Sequence, residues 1–537
     1  IGFAPHAWPL AAPFGLLWLA APALALWASR APTVGRRLAV SDTDARYLRL
    51  TARRTWRYFE TFVTAAENNL PPDNFQEDPT PRVARRTSPT NLGLYLLSAV
   101  AARDFGWAGT MKTVARLEAT LESMQSLPRY RGHFFNWYGT RDLKVLEPAY
   151  VSSVDSGNLA GHLLVLANAC EEWITALVSP NARLGMLDNL RLAAEALEAL
   201  PGAASDRGRQ IAASFEELDA LLGGPQAIET LTPTLQRLSL KAARRIHDIA
   251  PAVEDEGVAN LIFWIDAFRQ SVVEHDRDRQ RLTESPQLLK TRLGALADTA
   301  RTLARTMDFK FLLDPERKLL SIGFSLADNS LDPSCYDLLA SEARLASLFA
   351  VAKGDVATRH WFHLNRTATP LGNASALLSW SGSMFEYLMP SLVLRAPAGS
   401  LLEQTNRLVV AWQQAYSRKL GIPWGISESA YNARDIELTY QYSNFGVPGL
   451  GLKRGLSEDL VIAPYATGLA TMVDPHGARQ NFGRLAALGA GGRYGFYDAV
   501  DFTPSRVPEG EPFALVRCFM AHHQGMTIVA IANALHG

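Results

Sequence analysis

Apolar residues recur at helical spacing along most of this chain, and no alternation of strands and helices marks out βαβ units. That pattern predicts an all-α protein. Residues 42–70 read as a helix that Ser41 or Asp42 would cap, with Trp56, Phe59 and Phe62 on one face. Further helices are expected over 92–103, 111–127 and 150–178. The segment 69–90 holds Pro71, Pro72, Pro79, Pro81 and Pro89 and is expected to be an irregular loop. From about 183 to 313 the chain is rich in Ala, Leu, Glu and Arg and amphipathic throughout. It reads as a helical insert, with turns near Pro201, Gly223 and Pro251, and carries no chemical motif. Beyond 314, helices over 337–352, 379–394, 403–420, 466–472, 480–488 and 513–534 alternate with Gly- and aromatic-rich loops. Antiparallel helices joined by long loops suggest an (α/α)6 barrel whose loops build a cleft at one end.

The N-terminus differs from the rest. No Asp, Glu, Lys or Arg occurs before Arg30, and 8–27 is a run of Ala, Leu, Pro, Phe, Gly and Trp. Twenty such residues in a helix rise about 30 Å, the thickness of a hydrocarbon core. Arg30, Arg36 and Arg37 follow. The expectation is an N-terminal transmembrane helix in 1–37, with the positive flank and all that follows in the cytoplasm. A helical lead-in and the Pro-rich loop would occupy 38–90, and the barrel with its insert 91–537.

Composition narrows the function classes. Lys plus Arg and Asp plus Glu number 53 each. The zero net charge argues against a nucleic-acid partner, which calls for a basic face. Three scattered cysteines offer neither a disulfide framework nor a zinc site. Aromatics beside Gly, Ser and Asn suit sugar binding, since sugar rings present apolar faces and hydroxyls together. Trp137 and Tyr138, Trp380, Trp424, Tyr442 and Phe445 stand in such loops. His522, His523 and Gln524 form another polar cluster; adjacent histidines point to different sides of a helix, so a sugar-binding or structural role is expected and no metal.

Glycosidic chemistry usually uses two carboxyls, one to protonate the leaving oxygen and one to attack or to activate water. Four acids are candidates: Asp155, Glu342, Glu386 and Glu428. Each could instead be a first-turn helix acid or the partner of a buried arginine, as Glu342 could be of Arg344.

Seven loops together carry a resemblance: R-T-S-P-T-N-L-G-L-Y from Arg86, Y-V-S-S-V-D-S-G-N-L-A-G-H from Tyr150, S-W-S-G-S-M-F-E-Y-L-M-P from Ser379, P-W-G-I-S-E-S-A-Y from Pro423, Q-Y-S-N-F-G-V-P-G-L-G-L-K-R-G from Gln441, V-I-A-P-Y-A-T-G-L-A from Val461 and F-M-A-H-H-Q-G-M from Phe519. Over roughly 42–537 the chain resembles the glycoamylase-like, cyclisation domain of bacterial cyclic β-1,2-glucan synthases. The resemblance implies a bacterial inner-membrane protein with glycosyltransferase and phosphorylase parts elsewhere in the same synthase. It implies a transglycosylase that cuts linear β-1,2-glucan internally and rejoins it as a ring, retaining the anomer, with no cofactor. It places the catalytic pair at Glu342, as nucleophile, and Glu428, as acid/base, with Glu386 binding sugar in the cleft. A hydrolytic endo-β-1,2-glucanase and a non-catalytic glucan-binding module are the alternatives.

Overall fold

The computed structural model describes residues 8–28, 38–176, 181–247 and 256–537. Ser41 caps the helix Asp42–Phe62 by accepting the Asp44 N–H. This helix ends before residue 70 because a short 3-10 turn, Ala65–Glu67, and left-handed Asn68 and Asn69 redirect the chain. Ser88 caps Pro89–Asp104, with Pro89 in the first turn, where a missing N–H costs nothing. Ser153–Ala176 packs on that helix, on Pro286–Arg305 and on Arg344–Lys353. The last helix, Ala521–His536, crosses Pro89–Asp104, Asp42–Phe62 and Pro464–Ala470. The mostly helical architecture expected from the sequence is therefore observed.

Among the described residues, the buried apolar side chains form two clusters. The insert has its own, built from Ala182–Glu198, Asp206–Gly223, Ile228–His247 and Glu256–Glu284. Pro286–Arg305, expected to belong to the insert, instead sends Leu289, Leu293 and Leu296 into the main core. The turn expected near Pro251 lies outside the described residues. The helix Asp42–Phe62 joins the two clusters through arginines. Arg49 grips Asp188, Arg53 donates to Asn189 at 2.7 Å, and Arg57 lies 3.8 Å over the Phe263 ring. These buried guanidiniums are paired or stacked, as their desolvation requires.

Short antiparallel pairs, unread in the sequence, shape the loops. The Pro-rich segment contributes the strand Asn74–Gln76, which pairs with Arg82–Ala84 on one side and Cys518–Met520 on the other. The helix expected over 513–534 therefore begins at Ala521, and Ala514–Val516 is also a strand. Strands of two to six residues are too short to show a period of two. The helix expected from 337 begins at Arg344, and the one expected from 379 is two short turns, Met384–Leu388 and Met389–Leu392.

The N-terminal apolar run does form a helix, Trp8–Ala28, but Pro13 and Pro22 lie inside it and Ala, Pro and Gly supply 11 of its 21 residues. No helix among the described residues is long and apolar enough to cross a membrane, so the expected span is not supported. The basic flank of Arg30, Arg36 and Arg37 lies outside the described residues.

Candidate active site

Two loops bring Glu342 and Glu428 together. Glu342 sits in the turn just before Arg344–Lys353, with Ser341 Oγ donating to its Oε2 at 3.2 Å. Its neighbour Arg344 does not neutralise it by direct pairing. The buried guanidinium donates instead to the carbonyls of Ser341, Glu386 and Tyr387, at 3.0, 3.0 and 2.6 Å. Arg344 thus pins the Glu342 turn to the Met384–Leu388 helix without pairing with the Glu342 carboxyl.

Glu428 ends a tightly held loop. Gln413 brackets Ile426, accepting its N–H at 2.9 Å and donating to its carbonyl at 2.7 Å. Asn481 does the same for Trp424. Gly425 has φ +121°, which a side chain would strain. The strand Ser429–Arg434 then pairs with Tyr440–Ser443 and sets Tyr442 opposite Ala430. From there the Tyr442 hydroxyl donates to Glu428 Oε1 at 2.9 Å.

The electrostatics follow from burial and like charge. Burial, with the Glu386 charge next, pushes Glu342 up to about 7. Burial, with Glu342 next, pushes Glu428 up to about 8, against the Tyr442 hydrogen bond that favours its ionised form. Asp155 and Glu386 add to that field. Acids so crowded share protons near neutrality, the condition a proton donor and a carboxylate need to coexist. Tyr336 and Tyr465, both raised well above their ordinary values by burial and by these carboxyls, line the same space.

The other expected residues divide. Trp380 is 58% exposed and Tyr442 41% exposed, so both offer ring faces to a ligand. Trp137 is half-buried, with the Arg86 guanidinium 4.6 Å from its ring and Asp73 holding Arg86. Asp155 caps inward, accepting the Thr90 hydroxyl at 2.6 Å, and burial raises its pKa. His522 and His523 open the last helix beside Tyr442, each Nε2 3.4 Å from its hydroxyl. Among the described residues no group of three or more His, Cys, Asp or Glu could hold a metal ion.

Of the expected sugar contacts, Tyr138, Trp424, Phe445, Gln524, Glu386 and His523 are internal. Tyr138 is fully buried and donates to the Pro128 carbonyl. Phe445 packs against Tyr431, and Trp424 is 5% exposed within its bracketed loop. Gln524 is buried and donates to the Phe496 carbonyl. Glu386 is 6% exposed, and its two oxygens take the N–H groups of Trp380, Ser381 and Ser383 and the hydroxyls of Ser379, Ser381 and Ser383. It shapes the loop that carries Trp380. The sequence reading missed Tyr336, Tyr465 and Asp498. Tyr465 lay within one of the seven loops, and Asp498 had no local signal.

This helical scaffold is similar to solved structures of glucan-active and glucoamylase-like proteins. One is the endo-β-1,2-glucanase from Chitinophaga pinensis, in complex with sophorotriose and glucose: TM-score 0.57, 12% identity, covering 92% of this chain and 93% of that one. Another is a putative glucoamylase from Bacteroides caccae: TM-score 0.55, 13% identity, covering 91% and 93%. At such identities the likeness is one of fold. Residues 335–537, which carry Glu342 and Glu428, match the family model described as putative glucoamylase. The chain is moreover 50% identical, over 97% of its length, to the cyclic β-(1,2)-glucan synthase NdvB of Rhizobium meliloti, and spans 19% of that protein's length. The resemblance read from seven loops thus holds along nearly the whole chain.

Proposed function

We propose that this chain is the cyclisation domain of a cyclic β-1,2-glucan synthase, cutting linear β-1,2-glucan and rejoining it within one chain with retention of the anomer. The observation that carries the reading is the convergence of Glu342 and Glu428, from two separately braced loops, in one acidic field: burial and then Glu386 raise Glu342, and burial and then Glu342 raise Glu428. In this reading Glu342 attacks the anomeric carbon while Glu428 gives its proton to the leaving oxygen. Glu428 then takes the proton of the acceptor 2-hydroxyl as that oxygen displaces Glu342. The higher pKa of Glu428 suits the proton donor, and Ser341 and the Arg344 charge favour an ionised Glu342. An acceptor tethered to the same chain outcompetes water when it is held in attack geometry.

The test is the product of incubation with linear β-1,2-glucan. Rings without new reducing ends support cyclisation, and new reducing ends support a hydrolase like the solved glucanases of this fold. Glu342→Gln and Glu428→Gln should each abolish ring formation; if both kept it, the binding-module reading would stand. Azide added to Glu342→Gly and Glu428→Gly assigns the roles, since the nucleophile variant yields the α-glycosyl azide and the acid/base variant the β. We also propose that the helix Trp8–Ala28, whose Trp18, Leu19 and Trp27 are exposed, associates with a membrane within a larger inner-membrane synthase that places this domain in the cytoplasm. Deleting 1–37 should then release the protein from vesicles; unchanged sedimentation with vesicles would refute it.

A further inference from the structure

Behind Glu428 runs a chain of polar groups, from the part-exposed Tyr442 to the buried His523 and Asp498, that a pair of carboxyls does not by itself explain. The Tyr442 hydroxyl bonds Glu428 Oε1 at 2.9 Å, and its oxygen stands 3.4 Å from both His522 Nε2 and His523 Nε2, of which only His523 is itself held by a carboxyl, that of Asp498. His523 Nδ1 is 2.6 Å from Asp498 Oδ1, while Oδ2 of that carboxyl accepts the Ala430 N–H at 2.7 Å. Ala430 is the strand partner of Tyr442, so Asp498 steadies both the imidazole and the strand facing the phenol. His523 is 1% exposed and lies flat on the Tyr465 ring, centroids 3.6 Å and planes 8° apart. Packed in this way, the ring is fixed. Burial holds His523 far below its ordinary pKa, so it is neutral. Burial also pushes Asp498 up to about 7, so above pH 7, where Asp498 is a carboxylate, the neutral imidazole gives it Nδ1–H and presents Nε2 as an acceptor.

We propose that Tyr442 is a positioning residue for Glu428, its hydroxyl bonding that carboxyl in both protonation states because His523, oriented by Asp498, accepts the phenol hydrogen when Glu428 does not. With Glu428 ionised, the phenol O–H points to Oε1. With Glu428 protonated, the carboxyl O–H donates to the phenol oxygen and the phenol O–H turns to His523 Nε2. The phenol keeps its proton throughout, and no charge enters this chain of groups. The proton that Glu428 gains or loses is exchanged with the sugar oxygens. Fixed partners that only change bond direction require little reorganisation as the charge on Glu428 changes. This inference rests on Glu428 being one of the catalytic pair.

The groups facing Glu428 set the expected signs. Glu342 and Tyr336 face it from the loop before Arg344–Lys353, Glu386 from Met384–Leu388, and Asp155 from the first turn of Ser153–Ala176. Tyr465 faces it from Pro464–Ala470, and His522, His523 and Asp498 stand behind Tyr442. The acids favour the protonated form, and the Tyr442 hydroxyl favours the ionised one. Tyr442→Phe therefore moves the limb of the kcat pH profile that belongs to Glu428 upward by about one pH unit, whichever role Glu428 plays. Asp498→Asn does the opposite. The Ala430 N–H must still face an oxygen, so the new amide turns its NH2 to His523 Nδ1. That forces the hydrogen onto Nε2, which then donates to the phenol oxygen and pins the phenol O–H on Glu428. The same limb moves downward.

The experiment measures kcat and KM against pH for ring formation from linear β-1,2-glucan, with circular dichroism confirming that each variant is folded. Opposite shifts in the two variants, with kcat for Tyr442→Phe down about 10–100-fold and KM within about threefold, are expected. If Tyr442→Phe proves inactive, the downward shift in Asp498→Asn alone is decisive. An unmoved limb in either variant, or shifts of the same sign, overturns the proposal. An active Glu428→Gln would instead overturn the reading of the catalytic pair on which it rests.

Discussion

Replacing Glu386 by Ala should unfold the rim of the cleft before it touches substrate binding. The carboxylate takes the N–H of Trp380 at 3.1 Å, of Ser381 at 3.0 Å and of Ser383 at 3.2 Å. The three serine hydroxyls can rotate to other acceptors, but these backbone donors cannot. Each stranded buried donor costs about 1–3 kcal/mol, and the three share one loop, so the total falls short of their sum. The expected loss is about 3–5 kcal/mol, in line with breaking other buried charged networks. Glu386→Gln should cost roughly half as much, because one oxygen still accepts while the amide nitrogen faces donors. The assay is the urea midpoint at pH 7 followed by circular dichroism, with m unchanged. A second readout follows from charge. Glu386 is the second cause, after burial, of the raised pKa of Glu342. Both variants should therefore move the limb of the pH profile that belongs to Glu342 downward. A loss under about 1 kcal/mol together with a KM raised tenfold would refute the reasoning. The carboxyl would then be binding sugar, as its place in the sequence suggested.

Burial first, then neighbouring carboxyls, push Glu342 up to about 7 and Glu428 up to about 8, above an unfolded carboxyl near 4.5, so the cost of ionising them in the fold is absent below about pH 4.5 and grows up to about pH 8. Glu342→Gln and Glu428→Gln should each melt above the parent at pH 8, by ~2 kcal/mol, with the gain gone near pH 4.5; a gain independent of pH in thermal melts would contradict this. Trp380 hangs in the open on a loop held by Glu386, so Trp380→Ala should leave the melting temperature within about 1 °C while raising KM for long glucans about five- to tenfold. An unchanged KM by initial-rate measurement would place the sugar elsewhere.

Most of the helices were legible because helical periodicity and capping residues are local signals, whereas periodicity left Glu342 and Glu428 as two of four candidate acids and only the family resemblance paired them. Ser41 and Ser88 are caps whose bonds lie within three residues. The misreadings have one physical source. Tyr138, Trp424 and Phe445 stand beside small or polar neighbours such as Gly139, Gly425 and Asn444, a setting that suits loop aromatics open to sugar. Small neighbours also let loops press together, and that is what happens here: a Cβ on Gly446 would meet the Ser381 carbonyl at 1.8 Å. Close packing of this kind buries aromatics. For Glu386 a local signal was present, since Ser383-x-x-Glu386 is the spacing of a capping box and the structure forms one. The relay through Tyr442, His523 and Asp498 was illegible because its members are 25 to 81 residues apart along the chain.

The pairing of Asn74–Gln76 with Cys518–Met520 joins segments about 440 residues apart. Asp73, just before that pair, accepts from Asn91 and Arg86, and His522 follows just after it. The portion from 335 onward therefore carries both proposed catalytic acids but not the strand that seats its last helix. Expressed alone it would expose a raw sheet edge and the apolar face that Pro89–Asp104 covers. Contacts of such range close late in folding, when the loop entropy has already been spent. The seat of the last helix thus depends on a strand from the far end of the chain, and neither part completes it alone.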